Sequence, residues 1–72
     1  MEQHEKTLAL ARRLYVEQEA RIRQQEELIM RLRAAEQPTD SAEETLKSMK
    51  RRLIIILVEI ARLGRVGPDD TN

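Results

Sequence analysis

The chain has 72 residues, with thirteen Lys and Arg against thirteen Asp and Glu, one histidine and no cysteine. Balanced charge leaves no global field to draw it toward nucleic acid, anionic lipid or acidic substrates, so any basic site has to be local. Disulfides are excluded, a zinc or iron site would need almost only carboxylates, and a chain this short has little stability from a lone core, which leaves oligomerisation as the support.

The N-terminal stretch Met1 to Lys6 is charged and polar, and Arg12 and Arg13 interrupt the apolar residues that follow, so no secretion signal is visible and a cytoplasmic setting is expected. One aromatic residue, Tyr15, with two glycines and two prolines, points to an all-α chain. The first predicted helix runs from about 3 to 36. It contains no glycine or proline and pairs Glu17 with Arg21, Glu19 with Arg23 and Glu27 with Arg31 at i,i+4. Pro38, within Gln37-Pro38-Thr39-Asp40-Ser41, ends it near Glu36. The second helix runs from about 41 to 63. Its start fits a capping box of Ser41 with Glu44, or of Asp40 with Glu43, and Gly64 fits a C-cap. The expectation is one antiparallel helical hairpin over residues 1–63 and a flexible tail over 64–72.

Both helices carry a coiled-coil period. Leu8, Ala11, Tyr15, Gln18, Ile22, Gln25, Ile29 and Leu32 keep the heptad spacing in the first, and Leu46, Met49, Leu53, Ile56, Ile60 and Leu63 in the second. A short connection makes the helices antiparallel, with level residues whose numbers sum to roughly 77. Leu14 would then meet Leu63, while Leu8, Leu10 and Ala11 overhang. Gln18 and Gln25, with Glu59 beside the seam, are read either as polar groups that fix register or as half-exposed groups at the bundle edge.

The run Leu53-Ile54-Ile55-Ile56-Leu57-Val58-Glu59-Ile60-Ala61 is apolar around the whole helix. One neighbouring helix hides a stripe about 100° wide, so such a run requires further neighbours. The expected solution is a homodimer of hairpins forming a four-helix bundle, with the second helices crossing at its centre. Its interface would use Leu8, Leu10, Ala11, Leu14, Leu53, Ile54, Ile56, Leu57, Ile60 and Leu63.

Catalytic chemistry is thin. His4 stands among Glu2, Glu5 and Lys6 near the terminus. No Glu-x-x-His pair, glycine-rich phosphate loop or cysteine nucleophile is present, so neither an enzyme nor a cofactor is expected. One local cluster, Lys47, Lys50, Arg51 and Arg52, breaks the neutrality and forms a candidate nucleic-acid site. The competing reading is salt bridging to Glu26, Glu27 or Glu36 of a neighbouring helix. A membrane-surface role for Leu53 to Ile60 is disfavoured, because the run is too short to span and lacks the polar face of an interfacial helix.

The stretch Arg23-Gln24-Gln25-Glu26-Glu27-Leu28-Ile29-Met30-Arg31-Leu32-Arg33, then a polar linker and Ala42-Glu43-Glu44-Thr45-Leu46, resembles a group of short bacterial helical-hairpin proteins with no assigned activity, over roughly residues 17 to 63. The resemblance implies a fold and no function, and this chain departs from it at Leu53 to Val58, where those proteins are more polar. In architecture the chain is also similar to the Rop family of RNA-binding hairpin dimers. The sequence echo there is Glu5-Lys6-Thr7 followed by Ala11-Arg12, and no RNA-contacting residue carries over. The expected function is a homo-oligomeric structural or interaction module with itself, and an unidentified protein, as partners. A nucleic-acid adaptor is the second reading and a membrane-surface helix the third.

Overall fold

The structure, a computed structural model, describes residues 2–65 and the side chains of residues 6–64. It is an all-α helical hairpin: α1 spans Glu2–Ala34 and α2 spans Asp40–Arg65. The two helices pack side by side in a rod of 58 × 16 × 12 Å. Its Cα radius of gyration is 16.8 Å, whereas a globular chain of this length would have about 11 Å.

The turn between the helices is built by backbone bonding at both ends. At the end of α1, the Gln37 N–H donates to the Leu32 carbonyl at 2.8 Å and the Glu36 N–H to the Arg33 carbonyl at 3.0 Å. Glu36 adopts φ 56°. This is a Schellman cap with a glutamate where glycine is the usual occupant, and it stops α1 two residues before the expected end. α2 begins at Asp40, and the residue that caps it is Thr39. The Thr39 carbonyl accepts the Glu43 N–H at 2.8 Å, and its hydroxyl donates to Glu43 Oε2 at 2.7 Å. Arg33 Nη2 donates to that same carboxylate oxygen at 3.2 Å, tying the end of α1 to the first turn of α2.

The expected capping box on Ser41 is therefore corrected: Ser41 lies inside the helix, where its carbonyl accepts the Thr45 hydroxyl at 3.1 Å. Gly64 is corrected too. It is helical, with no positive φ, and α2 continues through it to Arg65. The rest of the expected tail, residues 66–72, lies outside the described residues.

The seam between the helices is the heptad series read from the sequence. In α1, Ala11, Gln18, Ile22 and Ile29 are buried, and Leu8, Tyr15, Gln25 and Leu32 are half-buried. In α2, Leu46, Met49, Leu53, Ile56, Ile60 and Leu63 are all half-buried. Gln18 Nε2 donates to the Met49 carbonyl at 3.0 Å, and Gln25 Nε2 to the Ala42 carbonyl at 2.9 Å. Donors and acceptors are each one heptad apart, so the two amides clamp the same register at two levels.

Level residues sum to about 71 rather than 77, midway between the Gln18–Met49 bond and the Arg33–Glu43 pair. The reason is the cap. Because the chain folds back over the last turn of α1, α2 starts level with Leu32 rather than with Glu36. Leu63 then lies level with Leu8, and Leu14 shares a cleft with Ile56 instead. The expected overhang of Leu8 and Ala11 is overturned, since Ala11 is only 7% exposed in the hairpin alone.

Candidate oligomer interface and basic cleft

The seam leaves much of α2 uncovered. Among the described residues no α2 side chain is fully buried, because α1 offers it Ala11, Gln18 and Gln25 opposite large leucines and isoleucines. Beyond the seam, Ile54 is 58% exposed, Ile55 66%, Leu57 43% and Val58 53%. Steps of 100° per residue carry these four around the flank and back of α2, away from α1. From α1, Leu10 and Leu14 are exposed as well.

The ten expected interface residues therefore divide. Leu8, Ala11, Leu53, Ile56, Ile60 and Leu63 face the seam of their own hairpin, whereas Leu10, Leu14, Ile54 and Leu57 are open to solvent. Ile55 and Val58 belong with the open set. Their membership of an all-round apolar run was the signal for them, and the heptad frame alone passes them over.

As an elongated rod, the chain exposes 6060 Å², where a compact monomer of 8.4 kDa would expose about 4,600 Å².

The basic cluster is partly neutralised within its own helix. Lys47 Nζ lies 3.7 Å from Glu44, and Arg62, which extends the same side, lies 3.6 Å from Glu59. Lys50, Arg51 and Arg52 have no carboxylate within 4 Å among the described residues, and within the hairpin no bridge from the cluster to Glu26, Glu27 or Glu36 forms. Arg51 Nη2 instead donates to the Ser48 hydroxyl at 3.3 Å. Arg21 of α1 joins Arg51 and Arg52 in an open cleft of about 510 Å³, together with Thr45 and Ser48 and no carboxylate in its lining. Sequence spacing on α2 alone had no means of reaching Arg21, since only the packing of the helices brings it there.

The i,i+4 pairs expected along α1 do not close. Among the described residues, Glu17, Glu19 and Glu27 form no ion pair, and Glu19 Oε2 accepts the Tyr15 hydroxyl at 3.0 Å. Exposed pairs gain little against side-chain entropy, so open geometry is physically reasonable. That hydrogen bond raises the Tyr15 pKa first, and slight desolvation and the Glu19 charge raise it further. The Glu43 carboxyl is held below the usual glutamate range, first by the Thr39 hydroxyl and then by Arg33.

Among the described residues no group of His, Asp or Glu is arranged to hold a metal ion, and no helix is long and apolar enough to cross a membrane. His4 falls in the first turns of α1, where side chains are not described. The chain matches no protein-family model, no curated protein and no solved structure.

Proposed function

We propose that this hairpin is a homo-oligomeric interaction module whose self-association surface is the C-terminal half of α2, with no catalytic activity of its own. The observation that carries the reading is the contiguous exposure of Ile54, Ile55, Leu57 and Val58 on a chain that has little internal core. Leaving four such side chains in water forgoes about 1.5 to 3 kcal/mol each, comparable with the whole stability of a small domain. The cytoplasmic setting expected from the sequence goes with this proposal.

Light scattering after size exclusion, with circular dichroism across micromolar dilution, tests it. The expected result is a helical oligomer that loses helicity as it dissociates. Val58→Asp would place an unpaired charge in the interface and is expected to weaken association by at least 100-fold. A helical monomer in the unsubstituted protein would overturn the reading.

One observation supports a second reading, binding of a nucleic-acid backbone: Arg21, Arg51 and Arg52 converge without a carboxylate among them. Phosphate binding there would fall steeply between 50 and 200 mM salt and weaken in Arg21→Glu. Salt-independent or absent binding of RNA and duplex DNA would remove this reading.

A further inference from the structure

The outer surface of α2 changes character midway. Lys47, Lys50, Arg51 and Arg52 are exposed in its N-terminal half, and Ile54, Ile55, Leu57, Val58 and Ala61 in its C-terminal half. Resting on the self-association proposed above, we infer that two copies pair through α2 in antiparallel orientation, with the two-fold axis passing near Ile56.

A two-fold pair of helices covers this apolar patch in either direction, so charge decides between them. Parallel pairing would set Lys47 and Arg51, which share the outer face with Ile54 and Val58, beside their own copies at an interaxial distance of about 10 Å. Like charges so placed repel at the N-terminal end of the patch.

Antiparallel pairing about Ile56 makes partners of residues whose numbers sum to about 112. Ile54 then meets Val58 of the second copy, while Leu57 closes one flank of the contact and Ile55 the other. Arg51 lies over Ala61, whose small side chain leaves room for the arginine stem. The basic halves are carried to opposite ends of the assembly.

The chain has no cysteine, so a spin label can be placed at a single chosen position without background. Lys47→Cys and, separately, Lys50→Cys are labelled and the distance between copies is measured by dipolar spectroscopy. The 1.5 Å rise per residue and a 10 Å interaxial distance give about 30 Å at position 47 and about 20 Å at position 50 for antiparallel pairing. Distances of about 10 to 15 Å at both positions would overturn the antiparallel arrangement while leaving self-association intact. Absence of dipolar coupling, with a monomeric mass, would overturn self-association itself.

Discussion

The two helices solve the same burial problem with opposite success. α1 has a narrow seam stripe and polar residues elsewhere, and one neighbour is enough: Ala11, Gln18, Ile22 and Ile29 are buried within a single hairpin. α2 has its apolar residues all round from Leu53 to Val58, and the same neighbour leaves every one of these six side chains at least partly in water. The difference teaches that periodicity, not hydrophobic content, sets how many neighbours a helix needs. A stripe needs one and a fully apolar cylinder needs several.

The largest expected effect within a single hairpin separates neighbouring residues of α1. Ile29 is 5% exposed in the seam and Met30 67% exposed beside it. Ile29→Ala is expected to cost about 2 to 5 kcal/mol through lost burial and a cavity, whereas Met30→Ala should stay within about 0.5 kcal/mol. Urea denaturation midpoints measure both. Equal losses would mean that the outer side of α1 is as covered as the seam, and the contrast between the helices would collapse.

Gln18 sharpens the comparison from the other direction. Its amide occupies a buried seam position and bonds the Met49 carbonyl. Gln18→Leu should raise the denaturation midpoint, since replacing a buried polar group by an apolar one of similar volume is often neutral or stabilising. Its cost is expected in register, read as a broadened distance distribution between labels placed on α1 and α2. A Gln18→Leu protein with lower stability and an unchanged distribution would refute the role given to the clamp.

The cap that sets the register can be improved. Glu36 pays the left-handed penalty that glycine avoids, so Glu36→Gly is expected to stabilise the hairpin by up to about 1 kcal/mol. Thermal melting at fixed protein concentration reads this, and a destabilised variant would show that the glutamate side chain compensates for its backbone.

The smallest effect is at Glu43, whose pKa is lowered by Thr39 and Arg33. A carboxyl with a depressed folded-state pKa adds stability above its unfolded pKa and loses it as pH falls through the folded value. Acidification below about pH 4.5 should therefore loosen the start of α2 slightly, and Glu43→Gln should remove that part of the acid response. Helicity against pH for the two proteins makes the comparison.

Much of this fold was legible because its signals are local. The heptad positions of both helices were visible in residue spacing, and Pro38 marked the connection. The caps were harder. Ser41 and Gly64 are the residue types that usually end helices, yet Thr39 and Glu36 occupy those positions, because a hydroxyl aimed at Glu43 and two Schellman bonds outweigh intrinsic preference. The outer members of the candidate interface, Ile55 and Val58, were visible as apolar residues but fell outside the heptad frame. Arg21 was invisible as a partner of Arg51 and Arg52, since nothing in α1 by itself aims it at α2.

The sequence by itself determined that the chain is two helices joined by one turn, which residues form the seam, and that α2 carries more apolar surface than α1 can cover. These follow from period, composition and punctuation, which act over a few residues. Only the tertiary structure decided the register, with Leu63 level with Leu8 and Leu14 beside Ile56, and with it the burial of Ala11 and the meeting of Arg21 with Arg52. Register depends on how the chain leaves one helix and enters the next, and a cap that ends α1 two residues early shifts every cross-helix pair along the rod.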